Sequence, residues 1–271
     1  MTVAVLTIAH GRHDHLRGLL AGCRRSDRAP DMVIVVAMSD PDIEDLAQDA
    51  WPGAIVEHLP TVDGALPLAA ARNRAAQTAI SRGATALVFL DVDCVPSPGL
   101  IGTYASAMEE ATEPSVLAGD VAYLPEHERP YPAAELDRLA KPHPARPVLE
   151  PAQSREADDV RLFWSLSFAL SADSWTAIGG FDERYVGYGG EDTDFALRLQ
   201  AAGASLVWVG GARAYHQFHE NRMPPVHHLD DIVRNARIFH STWGRWPMEG
   251  WLREFDRLGL VRFDGETLSG L

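Results

Sequence analysis

Short continuous apolar runs alternate with helix-period segments through the first third of the chain, and few folds accept that pattern. Val3 to Ile8 predicts a strand, and Asp14 to Arg24 a helix with Leu16, Leu19 and Leu20 on one side. Met32 to Met38 is apolar throughout, as in a strand covered on both faces. Pro67 to Ser81 is an alanine-rich helix with Pro67 suited to its first turn. Ala86 to Leu90 is the next strand, and a turn with Pro96 and Pro98 leads to a helix from about Ile101 to Glu110. Such alternation predicts an α/β fold, with a mostly parallel sheet flanked by helices.

With 271 residues, 46% of them hydrophobic, the chain has enough apolar matter for a sizeable core, which excludes wholesale disorder. A formal net charge of −14 argues against broad contact with nucleic acid or an anionic membrane. It leaves room for a local basic pocket that takes one anionic ligand. No apolar run approaches the roughly 20 residues of a transmembrane helix. The Met1 to Leu6 segment starts as a strand, without the regions of a signal peptide. Cys23 and Cys94 cannot form a disulfide scaffold, so the expected setting is a reducing cytoplasm.

The texture changes at Pro125. Seven prolines between Pro125 and Pro151 leave room for one short helix, about Ala133 to Leu139. This stretch is either a linker between subdomains or a loop over a site. Regular structure resumes with a strand over Phe163 to Leu170, a helix over Glu191 to Ala201 and a strand over Ser205 to Val209. A helix over Val226 to His240 and a tail with Trp243, Trp246 and Trp251 follow.

Four constellations can carry chemistry. In Leu90-Asp91-Val92-Asp93, two acids follow a hydrophobic strand, and on an extended backbone both carboxylates project from the same side. At the carboxyl end of a parallel strand they suit a hard divalent ion bridging to phosphates. The bland alternative is that they end the strand and cap the next helix. In Gly187-Tyr188-Gly189-Gly190-Glu191-Asp192-Thr193-Asp194, glycines permit sharp turns and the acids open a helix. Carboxylates there complement the helix dipole without any catalytic role, yet the dipole also suits an ionised carboxylate that accepts a proton. Asp194 and Arg198 are spaced for a structural i, i+4 pair.

The third constellation is His216-Gln217-Phe218-His219 after a strand, which can add nitrogen ligands to acids from elsewhere and shift metal preference from Mg²⁺ toward Mn²⁺ or a later transition metal. With eleven histidines in the chain, chance pairs such as His13/His15 and His227-His228 are given no role. The fourth combines Arg72-Asn73-Arg74 on the alanine-rich helix with His10-Gly11-Arg12 after the first strand. Arginine suits bidentate contact with phosphate. Arg74 reads as a solvated helix residue. Asp40 either hydrogen-bonds a ribose or base, or begins the turn at Pro41.

The order of these features resembles the GT-A glycosyltransferases. The chain is similar to family 2 type enzymes over roughly residues 2 to 220. Its second half is similar to the C-terminal region of β-1,4-galactosyltransferases and polypeptide N-acetylgalactosaminyltransferases. Phe168-Ala169-Leu170-Ser171, Gly179-Gly180-Phe181-Asp182 and Gly190-Glu191-Asp192 carry most of that likeness. The resemblance implies a GT-A (Rossmann-like) domain over 1–220, with a nucleotide-binding half (1–122), the proline-rich loop (125–159) and an acceptor and catalytic half (160–220). A C-terminal helical extension, 221–271, follows.

What the resemblance implies about function is metal-dependent, inverting transfer from a nucleoside diphosphate sugar, a UDP-sugar, to an acceptor hydroxyl. The acceptor is an unknown glycan, lipid or small molecule. Asp91 and Asp93 match the Asp-x-Asp that holds Mn²⁺ (or Mg²⁺) against the diphosphate. His219 matches the histidine ligand, and His216 falls where galactosyltransferases have a methionine ligand. Asp192 matches the general base, with Glu191 beside it. Ala9, Arg12, Asp40 and Arg72 would surround the nucleotide, and Val92, Gly189 and Gly190 would complete the nucleotide-sugar site.

Departures from the pattern bear on the substrate. Galactosyltransferases carry Trp-Gly-Trp-Gly-Gly where this chain has Val186-Gly187-Tyr188-Gly189-Gly190, which removes the indoles that bear on acceptor and sugar. Retaining N-acetylgalactosaminyltransferases have Asn at the place of Asp192, so the acid implies inversion. Two rival functions remain. A sugar-1-phosphate nucleotidyltransferase would show a glycine-rich basic loop where this chain has Ala9-His10-Gly11-Arg12. A non-catalytic nucleotide-sugar or glycan-binding module would use Trp243, Trp246 and Trp251 for stacking, where core packing is their other use.

Overall fold

In the computed structural model, which describes residues 1–220 and 223–270, every residue of β1 (Val3–Ala9) is buried. That burial follows from the element order. β1 is followed by α1 (His13–Arg24), β2 (Met32–Met38), α2 (Asp42–Ala50), β3 (Ile55–Leu59), α3 (Leu68–Ser81) and β4 (Ala86–Leu90). Then come β5 (Cys94–Pro96), α4 (Leu100–Glu110), β6 (Ser115–Tyr123), α5 (Leu136–Leu139), β7 (Lys141–Pro142) and β8 (Ser154–Glu156). The last part holds β9 (Ser167–Ser171), α6 (Ala172–Ile178), α7 (Glu191–Ala201), β10 (Ser205–His216), α8 (Leu229–Trp243), α9 (Glu249–Arg257) and the hairpin of β11 (Val261–Phe263) and β12 (Leu268–Gly270).

The main sheet runs β3-β2-β1-β4-β9-β6-β10-β5, with β7 on β6 and β8 on β10. Pairing is parallel from β3 to β4 and again between β6 and β10, while β9 and β5 run the other way. The sheet is therefore mixed and mostly parallel, as the alternation predicts. α1, α2 and α4 cover one face through Leu16, Leu19, Leu20, Ile43 and Ile101. α3, α6 and α7 cover the other. Ala69, Ala71, Ala75, Ala76 and Ala79 are fully buried, so the alanine run of α3 is what lets that helix lie close on the sheet.

Aromatic rings fill the rest of the second face. Phe89 stacks on Phe168 at 4.5 Å and Phe181 on Phe195 at 4.3 Å, with Phe163 and Trp175 beside them. The cluster ties β4 and β9 to the turn before α7. Phe168→Ala is expected to cost about 3–5 kcal/mol, through lost burial plus an unfilled cavity. Urea unfolding measures it, and a loss under about 1 kcal/mol would contradict the packing.

Three readings of the sequence change. The strand expected over Phe163 to Leu170 is confined to Ser167–Ser171. Phe163 to Leu166 stays irregular after a 3₁₀ turn at Val160–Leu162, because the Leu162 and Trp164 carbonyls accept from Arg146 rather than from a neighbouring strand. The strand expected over Ser205 to Val209 continues to His216 beyond a register shift between Val209 and Ala214. Gly210 allows the shift: a Cβ there would lie 2.0 Å from the Glu150 carbonyl oxygen of the proline-rich excursion. Finally, the excursion is no free linker, since its β7 and β8 pair with β6 and β10.

α8, α9 and the hairpin enclose their own apolar cluster of Ile232, Ala236, Leu252, Phe255, Val261 and Phe263. Trp246 and Trp251 pack on it, and Trp243 packs with Tyr185 and Phe239 against α7, so all three indoles serve packing. Among the described residues no helix is long and apolar enough to cross a membrane. Cys23 and Cys94 are both free and buried.

Candidate active site

The loop after β4 does not stay extended. The Cys94 N–H donates to the Asp91 carbonyl at 2.8 Å, which closes a turn and sends the two carboxylates apart. The expectation that both project from one side of an extended backbone is corrected accordingly. Asp91 accepts from Arg72 Nη2 at 3.0 Å. Asp93 instead faces His216 Nε2 and His219 Nε2, each 3.6 Å from one of its oxygens.

Asp93, His216 and His219 offer one ligand atom each within 4.8 Å of one another. At 3.6 Å they are beyond hydrogen-bond range, so the three groups converge without satisfying each other. Burial holds the His216 imidazole below its ordinary pKa, which keeps it in the neutral form a metal needs. One carboxylate with two imidazoles fits a divalent ion such as Mn²⁺. Arg12, in a left-handed conformation ahead of α1, pairs with Asp93 and supplies a positive charge at the same point. Asp91 lies outside this donor set.

Gln217 holds the histidines in place. Its N–H donates to the Asp93 carbonyl at 2.7 Å and its side-chain amide to the His15 carbonyl at 3.0 Å. At the end of β1, buried Ala9 precedes a turn in which the Gly11 N–H donates to Asp40 at 2.7 Å. His13 lies 3.0 Å from the same Asp40 oxygen, so a histidine given no role and a candidate nucleotide contact brace each other.

Arg72 joins the turn after β4 to the acids of α7. It is buried, lies over the Phe181 ring at 5.3 Å, bonds Asp91 and approaches Glu191 Oε1 to 3.6 Å. Burial first, and then the charge of Asp192, raise the Glu191 pKa against the pull of Arg72. Burial likewise raises that of Asp91, with Arg72 opposing. Asn73 fixes the adjoining turn: its side-chain oxygen accepts from the Phe181 N–H and its amide donates to the Phe181 carbonyl, both at 2.9 Å.

Asp192 stands in the first turn of α7. Its Oδ2 accepts from the Ser165 N–H at 3.1 Å, and its Oδ1 is buried with no partner. One oxygen is therefore held and the other is left with an acceptor's capacity. The expected i, i+4 pair of Asp194 and Arg198 is not made. Asp194 accepts from Trp243 Nε1 at 2.8 Å and Tyr185 at 3.3 Å, while Arg198 turns to the Gly180 carbonyl, because Asp194 is fully buried between Tyr185 and Trp243 of α8.

α8 also holds the glycine loop. A Cβ on Gly187, whose φ is +72°, would lie 2.1 Å from Asp231 Cγ, so only glycine admits that carboxylate. Asp231 accepts from the Tyr188 N–H at 3.3 Å, and Asn235 donates to the Gly189 carbonyl at 2.8 Å and the Val186 carbonyl at 3.1 Å. Gly190, at φ +94°, then caps α7. Asn235→Ala would leave the Gly189 carbonyl unpaired, while Arg234 still donates to that of Val186, and is expected to raise the acceptor KM several-fold with metal binding unchanged. Parallel kinetics and metal titration check this; a kinetically silent variant would detach α8 from the loop's function. Ser165, Gln217, Asp231 and Asn235 carry no motif, and only their place in the fold reveals them.

Residues 150–220 match a family described as the N-terminal domain of galactosyltransferase. A validoxylamine A glucosyltransferase of Streptomyces hygroscopicus subsp. limoneus is 26% identical over 76% of this chain and 49% of its own length. That of subsp. jinggangensis (strain 5008) is 29% identical over 52% of this chain and 36% of its own length. The chain thus spans at most about half the length of the curated relatives it matches. Among solved structures, GalNAc-T7 with UDP, GalNAc and Mn²⁺ is similar with a TM-score of 0.60 and 14% identity, over 94% of this chain and 54% of that one. Staphylococcus aureus TarS is similar with a TM-score of 0.59 and 14% identity, over 96% and 79%. The family matched over residues 150–220 and both relatives are sugar-transferring enzymes by name, and the two solved structures share the fold of this chain.

Proposed function

We propose that the chain is a metal-dependent, inverting glycosyltransferase that moves a sugar from a UDP-sugar to an acceptor hydroxyl, with residues 1–220 as its GT-A domain. The observation that carries this reading is a converging Asp93, His216 and His219 set together with an Asp192 oxygen left unpartnered, while Arg72 pairs with the nearby acids Asp91 and Glu191. GalNAc-T7 was crystallised with UDP and Mn²⁺, which supports the same ligands here.

Asp93, His216 and His219 would hold the Mn²⁺ or Mg²⁺, whose chemistry is to offset the negative charge that grows on a departing diphosphate. Asp192 takes the proton of the acceptor hydroxyl at Oδ1, on the side of the sugar away from the diphosphate, which is what inversion requires. Ser165 N–H keeps Oδ2 turned away from that task. Arg72 sets Asp91 and Glu191 around the sugar and balances their charge. Ala9, Arg12, Asp40 and Val92 line the nucleotide, and Gly189 and Gly190 bring backbone close to the sugar.

The relatives are glucosyltransferases of validoxylamine A, so glucose is the first donor sugar to try and a small polyhydroxy compound the first acceptor. Incubation with UDP-glucose, Mn²⁺ and validoxylamine A is expected to give a glucoside with inverted anomeric configuration, read by proton NMR couplings. A retained configuration would remove Asp192 as base.

A further inference from the structure

Arg146 lies in the proline-rich excursion and is 5% exposed. Its guanidinium carbon lies 4.7 Å from the Trp164 ring and 5.4 Å from the Trp208 ring. Nη2 donates to the Trp164 carbonyl at 3.1 Å and, at 3.4 Å, to that of Leu162. Nε and Nη1 are buried without partners, and among the described residues no carboxylate pairs with it. A desolvated guanidinium with no direct ion pair, and only the charge of Asp192 in electrostatic reach, is costly, and pure packing would be served better by an apolar side chain.

What Arg146 grips is one end of a rigid unit. The Trp164 carbonyl and the Ser165 N–H belong to a single planar peptide, with C=O and N–H pointing to opposite sides. Arg146 bonds the carbonyl and Asp192 Oδ2 accepts from the N–H. Fixing the one orients the other, and a charged donor on the carbonyl strengthens the N–H as a donor. Phe163, buried in the aromatic cluster, anchors the chain just before this peptide, and β9 anchors it just after. The excursion supplies a second brace, His143, whose ring meets Trp164 edge-on at 4.8 Å and Tyr123 at 5.7 Å. Tyr123 in turn leans on His216 at 4.8 Å.

We infer that Arg146 is the positioning residue of Asp192: through the Trp164–Ser165 peptide it occupies one carboxylate oxygen and leaves the other without a partner, for the acceptor hydroxyl. The inference rests on Asp192 acting as base. It gives the proline-rich excursion a task in catalysis beyond covering the sheet edge.

The test compares Arg146→Met, which keeps the stem between the two indoles, with Arg146→Lys and Asp192→Asn. Mn²⁺-dependent UDP release from UDP-glucose is followed with water as acceptor. Arg146→Met is expected to lower kcat about 10- to 100-fold with the donor KM within about twofold. Lysine should not restore the rate, because it lacks the planar fork that stacks and bonds together. Adding Arg146→Met to Asp192→Asn should cost nothing more, since the two act as one unit. A wild-type rate in Arg146→Met, or full multiplication in the double variant, would overturn the inference.

Amide hydrogen exchange gives a readout free of activity. In Arg146→Met the Ser165 amide is expected to exchange at least about tenfold faster, while Phe168 to Leu170 in β9 keep their protection. Unchanged exchange at Ser165 would overturn the inference by itself. Faster Ser165 exchange in a protein whose Asp192→Asn variant keeps normal turnover would uphold the brace and discard the base.

Discussion

Asp192→Asn is expected to lower transfer about 10³-fold or more in kcat while metal-dependent UDP binding stays within about twofold of wild type. The reason is local. Ser165 N–H points at Oδ2 from 3.1 Å, so an asparagine must keep its oxygen there and place its amide group where Oδ1 stood. That group donates and cannot take a proton. The side chain keeps its shape, so the fold and the donor site persist. Steady-state kinetics and calorimetry on the same preparation separate the two effects. Ordinary turnover would remove Asp192 as base, and loss of UDP binding as well would make it a structural residue.

The second large effect is expected at the other end of the site. Asp93 supplies the one negative charge in the set with His216 and His219, and it also pairs with Arg12. Asp93→Asn should weaken Mn²⁺ about 100-fold, and His219→Ala about tenfold, in the range found when a metal's supporting groups are removed. His216 is buried and braced by Tyr123, so its loss would mix ligand removal with repacking, which makes His219 the cleaner position. A Mn²⁺ titration of UDP binding measures both. Curves that overlay wild type for both variants would take this donor set out of the mechanism.

The strands buried over all or nearly all of their length were legible. Ala86–Leu90, and Met32–Met38 with all but Met32 buried, show as unbroken apolar runs because helices cover both of their faces. The helix over Glu191–Ala201 was legible from the glycines and acids at its start. β6 was not: Gly119 and Asp120 interrupt its apolar pattern, although Asp120 is buried against Arg213 at 2.7 Å. Phe163 to Leu166 carries strand-like residues yet stays irregular, because aromatic packing and the Arg146 fork take the place of a ladder.

The site divides the same way. Asp93, His216, His219, Asp192 and Arg72 were each named from local motifs, and the fold brings them together. The turn at Asp91 to Cys94 was invisible as a reversal, so the sequence reading made the two acids equal partners when only Asp93 faces the histidines. Asp231 meets Tyr188 43 residues away, and Arg146 meets Trp164 18 residues away. Both act on backbone carbonyls or amides, which leave no trace in the identity of the residue they serve.

UDP release from a panel of UDP-sugars, with Mn²⁺ and with chelator, bears on the whole reading at once. Release that needs the metal, favours one sugar and falls away in Asp192→Asn is the expected result. No release from any sugar, together with no metal-dependent binding of UDP by calorimetry, would contradict it.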